Sequence, residues 1–188
     1  MTSLGPAWPL ETERLTLRPY VEDDFAEFAA IHADPAVARW LYNEPRVGAA
    51  ARAHFELKLP LDRLAAEDAW MSCAVVVREG GALVGDLSLH WVSVEHRTAE
   101  VGFLFAPAHQ GRGYATEAAR AVVDWAFAAG FHRVIGRAEA RNVASARVLA
   151  KLGMRLEAHF VENEWVKGEW QSELVYAVLD REWVRPGS

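Results

Sequence analysis

Apolar and polar positions alternate over residues 14–20, with Leu15 and Leu17 on one face and Thr16 and Arg18 on the other. That is the period of a β-strand, and Pro19 confines it to an edge or an end. Phe25, Phe28, Ala29 and Ile31 then recur at helical spacing behind Asp23 or Asp24 as cap, and Asp34 with Pro35 opens a second short helix. Residues 48–68 read as helix, interrupted or kinked at Pro60. From Trp70 the pattern changes. Residues 71–77 and 82–92 are apolar and β-branched, joined by Glu79, Gly80 and Gly81 as a hairpin, and a third antiparallel strand follows at 98–105. Beyond Pro107 the period becomes 3.6: Ala118, Val122, Trp125, Ala126 and Ala129 form one stripe that Gly130 ends. A strand at 132–138, a helix at 142–152 ended by Gly153, and a long hairpin of 154–161 with 173–179 complete the chain.

This order predicts a mixed α/β (α+β) domain built on one largely antiparallel sheet of about seven strands. Its 188 residues suit one domain, with 1–12 as an extended or frayed lead-in, 13–182 as the domain and 183–188 as a tail. Composition narrows the function. With 52% hydrophobic and 24% charged residues the chain is neither disordered nor fibrous, and a net charge of -6 without a basic block disfavours nucleic-acid binding. The single Cys73 excludes an internal disulfide and a multi-cysteine zinc site; set in an apolar run, it reads as a buried, inert thiol, and no metal is expected. No stretch reaches the ~18–20 apolar residues that span a bilayer, and the first residues lack a signal peptide's order, so a soluble cytoplasmic protein is expected.

Chemistry concentrates in FLFAPAHQGRGYATE at 103–117, where a buried strand meets a loop with Gly111 and Gly113 that opens into a helix near Tyr114. Glycines allow close backbone approach, and the free N–H groups and dipole of the first helical turn make a diphosphate cradle, to which Arg112 adds a cation. The alternative is an ordinary glycine-rich strand-to-helix turn. In ARNVASARVLAKLGM at 140–154, Asn142 serves as a cap, and Ser145 shares a face with Val148, Leu149 and Leu152. Arg147 and Lys151 lie four apart on another face, as solvated residues or as ligand contacts.

QGRGYA at 110–115 fits the [QR]-x-x-G-x-[GA] motif of the GNAT N-acetyltransferase superfamily, whose loop holds the acetyl-CoA pyrophosphate. ERLTLRP at 13–19, AEVGF at 99–103 and NVASARVLAKLGM at 142–154 resemble the branch of the RimJ/RimL ribosomal-protein N-terminal acetyltransferases, and the likeness covers residues 11–180. The resemblance implies a sheet splayed beside the strand before the loop, with pantetheine inserted as an extra strand on the main chain of Phe103, Leu104 and Phe105. It places the diphosphate on the N–H groups of Gln110, Gly111, Arg112, Gly113, Tyr114, Ala115 and Thr116. Asn142 would bond the pantetheine arm, and Arg147 or Lys151 would meet the adenosine end.

Within that frame Glu100, on one face with Thr98, Gly102 and Leu104, is the candidate general base, its bland alternative being a salt-bridged strand residue. Where many family members carry a tyrosine seven residues after the Asn, this chain has Leu149, so Ser145 is assigned to the thiolate leaving group. His90 and Trp91 are candidate linings of the acceptor side, and Arg14, Arg39, Trp40 and Tyr42 could shape the same mouth. The hairpin glutamates Glu157, Glu162, Glu164, Glu169 and Glu173, with Trp165 and Trp170, read as a rim for a cationic amine or as ordinary surface charge. An α-amine, with pKa ~7.7–8.0 against ~10.4 for lysine, asks least of a base, so a protein N-terminus is the leading acceptor. A small amine such as an aminoglycoside, or a non-catalytic acyl-CoA-binding module, are the alternatives; a monomer and a homodimer both stay open.

Overall fold

A computed structural model of the chain describes residues 3–184. Its strands are β1 (Leu10–Glu11), β2 (Leu15–Arg18), β3 (Trp70–Val77), β4 (Leu83–Ser93), β5 (Thr98–Phe105), β6 (Arg133–Glu139), β7 (Arg155–Val166) and β8 (Glu169–Leu179). They form one sheet in the order β1-β2-β3-β4-β5-β6-β8-β7, antiparallel throughout except for β5 against β6. Helices α4 (Tyr114–Ala128) and α5 (Val143–Lys151) cover one face; α1 (Phe25–Ala33), α2 (Pro35–Ala38) and α3 (Gly48–Lys58) cover the other.

The sheet therefore feeds two cores. Leu15, Leu17, Val75, Leu87 and Val101 pack with Ala118, Val122 and Leu149, whereas Tyr20, Ala74 and Val76 pack with Phe28, Ile31 and Phe55. Full burial of Phe28 and Phe55 contributes roughly 1.5–3 kcal/mol each. Cys73 is buried and burial pushes its thiol up, in keeping with an inert role. Among the described residues no helix is long and apolar enough to cross a membrane.

Several boundaries differ from the sequence reading. The sheet has eight strands because Leu10 and Glu11 pair with Leu17 and Thr16, and Leu4 bridges to Leu64; the lead-in is bound to the domain. A two-residue strand is too short for alternation to reveal. At the other end Trp183 is buried, its Nε1 donating to Asp124 Oδ1 at 2.5 Å and its ring packing on Phe127, so the domain includes it; residues 185–188 of the expected tail lie outside the described residues. Asp24 does not cap α1 with its side chain. Its carboxylate accepts two hydrogen bonds of 2.7 Å from Arg18 and one from the Val21 amide, joining β2 to the first helix. Helix α3 stops at Lys58, short of Pro60, whose ring would collide with the preceding turn. The closing hairpin runs to Val166 and back from Glu169, with register shifts between Leu156 and Ala158 and between Phe160 and Glu164, and is turned by Lys167 and Gly168 with positive φ. Its charged sequence concealed this, because β7 is an edge strand exposed along most of its length.

Candidate functional site

β5 and β6 pair only from Thr98↔Arg133 to Glu100↔Ile135 and then part, while β4 stays paired with β5 up to Gly85↔Phe105. The sheet is thus open beside Val101 to Phe105. The amide of Ala106 donates to Val84 O, so the two-residue alternation of an antiparallel ladder turns Leu104 and Gly102 towards β4 and Phe103 and Phe105 towards the gap. Leu104, expected to offer its main chain with the other two, is therefore committed to the sheet. Phe105 O is also taken, by Gln110 Nε2 at 2.9 Å. What faces the gap is the N–H and C=O of Phe103 and the N–H of Phe105.

The chain leaves β5 through a turn at Pro107–His109 and reaches α4 through Gly111 (φ 75) and Gly113 (φ 84). Gly113 is the N-cap, without a side chain to occupy the free amides of the first turn. A Cβ there would lie 3.3 Å from Arg14 Nη2, so both backbone sign and space favour glycine. Arg14 braces the loop from the start of β2. Its Nη1 donates to Arg112 O at 2.9 Å, its Nε donates to Glu117 Oε2 at 2.7 Å, and its guanidinium lies 4.9 Å over the Tyr114 ring. Burial pushes the Glu117 carboxyl up, but hydrogen bonds from Thr12 and Arg14 outweigh that and hold it low. No pattern in the sequence pairs positions 14 and 117. The Arg112 side chain is exposed, and Arg112 is the one residue of 110–116 outside the lining of the cleft described next.

A cleft of about 710 Å³ runs from this loop, along the open edge of β5, to the space under α1–α3. Gln110, Gly111, Gly113, Tyr114, Ala115 and Thr116 line one end, with Asn142, Ser145, Arg147 and Lys151 of the α5 region. Asn142 caps α5 as its sequence suggests, Oδ1 accepting from the Ser145 amide at 3.1 Å. Among the described residues its Nδ2 and the Ser145 hydroxyl make no hydrogen bond, and both residues line the cleft. Open strand amides, a glycine-built helix N-terminus and these unpaired polar groups fit an extended, amide-bearing diphosphate.

Midway, Glu100 lines the cleft and accepts from Arg137 Nε at 3.2 Å, while Arg137 Nη1 donates to Glu173 Oε1 at 3.1 Å. Glu100 is thus salt-bridged, yet burial raises its carboxyl above the usual range despite Arg137. Two carboxylates share one guanidinium, leaving a surplus negative charge. Arg137 was not singled out by the sequence, although its alternation with Ile135 on β6 puts it on the face of Glu100. Of the five hairpin glutamates, Glu164 and Glu173 line the cleft; Glu157 pairs with Arg133 and Arg155, and Glu169 with Arg141. Trp165 and Trp170 meet edge to face, 5.2 Å apart, on the exposed hairpin. Trp91 belongs to the opposite core against Phe131, and His90 stacks on Trp70 at 4.4 Å; Trp70 is the one that lines the cleft. Trp40 and Tyr42 line it as well, and Tyr42 Oη donates to the Glu164 carboxylate at 2.8 Å across the mouth.

Beneath α1–α3 the cleft ends on a polar group absent from the sequence reading. Buried Asp86 accepts from Lys58 Nζ at 2.7 Å and from Ser72 Oγ at 2.8 Å, with His32 Nε2 3.7 Å away and the His54 ring 4.9 Å from that of His32. Asp86 in the apolar run LVGDL was the available signal. Burial, with help from Arg46, His32 and Lys58, pushes His54 down to about 4. An unfolded imidazole binds its proton near ~6.5, so between these values acid favours the unfolded chain. The melting temperature is expected to hold above pH 6.5 and to fall as pH drops towards 4, and His54→Phe should flatten that slope. Scanning calorimetry across this range checks it.

A model of the acetyltransferase (GNAT) domain matches residues 14–155. The uncharacterized N-acetyltransferase YnaD of Bacillus subtilis is 37% identical over 110 residues, 58% of this chain and 64% of that protein. The uncharacterized N-acetyltransferase p20 of Bacillus licheniformis is 26% identical over 176 residues, covering 93% of this chain and 97% of its own length. A crystal structure of a GNAT-family acetyltransferase from Bacillus anthracis superimposes with a TM-score of 0.83 at 28% identity, over 93% of this chain and 99% of that one. With the parted strands and glycine-capped helix in place, the chain belongs to the acetyltransferase (GNAT) family of acetyl-CoA-dependent N-acetyltransferases.

Proposed function

We propose that the protein moves the acetyl group of acetyl-CoA to a primary amine, the free α-amine of a peptide or protein, by direct attack on the thioester. The observation that carries this is the place of the Glu100 carboxyl, lining the cleft beside the open edge of β5 with Arg137 Nε at 3.2 Å; burial raises it above the usual range. The Phe103 main chain and Phe105 N–H hold the pantetheine amides, one of these N–H groups polarising the thioester carbonyl. The amides at 110–116 hold the diphosphate, Asn142 Nδ2 bonds the pantetheine arm, and Arg147 and Lys151 face the adenosine end. As the amine nitrogen bonds to the carbonyl carbon and the C–S bond breaks, Glu100 takes the amine's proton, directly or through a water, and the Ser145 hydroxyl bonds the departing thiolate.

Ser145 and a relative described as a putative ribosomal N-acetyltransferase, YdaF of Bacillus subtilis (32% identity over 104 residues), support placing the chain in the RimJ/RimL-like branch. A polyamine reading has support of its own. The spermidine N(1)-acetyltransferase of Escherichia coli is 22% identical over 89% of this chain, and Glu164 and Glu173 are acidic linings of the cleft. Thiol release from acetyl-CoA separates the two. Peptides with a free N-terminus should turn over, and their N-terminally blocked versions with a free lysine should not. Turnover of spermidine or aminoglycosides alone would overturn the assignment. No release above hydrolysis with any amine, alongside tight CoA binding, would leave an acyl-CoA-binding module.

A further inference from the structure

Charge is distributed unevenly along the acceptor side of the cleft. Towards the closing hairpin, Glu100 and Glu173 share Arg137, and among the described residues Glu164 meets only the Tyr42 hydroxyl. That end suits an ammonium group. Under α1–α3 the balance reverses. Lys58 is neutralised by Asp86, but Arg46, which also lines the cleft, makes no side-chain hydrogen bond or ion pair among the described residues. It is half-buried, and burial alone shifts it, with no anion opposing. Its main chain is anchored beside His32, the amide donating to His32 O at 2.9 Å.

Beside it His32 is 2% exposed, and neither ring nitrogen has a hydrogen-bond partner; Nε2 stands 3.7 Å from Asp86 Oδ2. A partly desolvated guanidinium without a counter-charge costs stability, and the His32 imidazole beside it, though packed on Phe28 and near Asp86, makes no hydrogen bond. No anion among the described residues pairs with Arg46. A bound anion would, since a guanidinium–carboxylate contact is among the stronger charge-assisted hydrogen bonds. A polyamine would instead set a cation against Arg46.

We propose that the acceptor carries an anionic group besides its amine, a carboxylate that Arg46 receives under α1–α3 while the amine faces Glu100. The acceptor class is an amine and carboxylate in one molecule, supplied by a peptide whose N-terminal region is acidic or by a free amino acid. This rests on the N-acetyltransferase reading above and narrows it.

The test compares matched acceptors in the thiol-release assay: Ala-Asp-Ala-amide against Ala-Asn-Ala-amide, free aspartate against its diamide, and spermidine. The acidic member of a pair is expected to exceed its neutral twin at least tenfold in kcat/KM, and whichever pair turns over identifies the source. In Arg46→Gln this ratio should collapse to near one, and Arg46→Lys should restore part of it. A second readout needs no turnover: calorimetry of the acetylated acidic product on the CoA-loaded protein, expected to weaken at least tenfold in Arg46→Gln. Equal use of acidic and neutral twins, a ratio unmoved by Arg46→Gln, or spermidine as the best acceptor would overturn the proposal. Product binding that depends on Arg46, without turnover of any acceptor, would leave the anion site standing and remove the catalytic reading.

Discussion

Glu100→Gln is expected to lower kcat about 100-fold or more while leaving CoA affinity within about twofold, since general-base catalysis contributes roughly 10²–10⁴. The amide keeps the size of the carboxylate and a hydrogen-bond acceptor for Arg137, so the loss reports proton transfer. The pH profile gives the sharper reading. Burial raises the Glu100 carboxyl above the ordinary glutamate range, with Arg137 opposing. The unprotonated form is the active one, so kcat/KM should rise with pH along a limb displaced upward from the usual glutamate value. That limb should vanish in Glu100→Gln and move further up in Arg137→Gln, where the opposing guanidinium is gone. A wild-type limb that persists in Glu100→Gln would assign the proton to another group.

Asp86→Ala should be the most damaging single change to stability, at about 3–5 kcal/mol, because it strands the largely buried Lys58 ammonium without its partner. The double replacement Asp86→Leu with Lys58→Met should recover most of that loss, since apolar residues of similar volume replace a buried pair at little cost. Urea unfolding midpoints of the three proteins measure it. Burial alone would push the Asp86 carboxyl up, but Lys58 and His32 outweigh it and hold the group well below the usual range. Its contribution is thus full above the unfolded value of ~3.9 and is lost only as pH falls through the much lower folded one. The gap between wild type and Asp86→Ala should accordingly stay level from pH 7 to pH 4.

The fold was legible wherever a residue's role is set by its near neighbours in sequence. Alternation gave β5 at its observed bounds, and the glycines at 111, 113 and 153 marked loop and helix ends that do carry positive φ. The cofactor side of the site is likewise a run of adjacent residues, so its motif survives in one dimension. Long-range pairing was not legible. The Arg14–Glu117 brace, the Arg137 bridge between Glu100 and Glu173, and the Asp86–Lys58 pair each join elements far apart in sequence, and no period links them. Leu104 shows a subtler limit. The residue lies in the right segment, but which edge its amide faces depends on register against β4, and register belongs to two strands at once.

The order β6-β8-β7 has a consequence for biosynthesis. Because β8 slots between two strands made before it, β6 presents a bare flank to solvent until residue 179 has emerged, and Glu173, Arg137's second partner, arrives with it. A nascent chain halted within β7 would own the whole loop from Gln110 to Gly113 yet lack a finished cleft wall. Competence for acetyl transfer should therefore switch on abruptly once β8 is made, rather than accrue as the polypeptide lengthens.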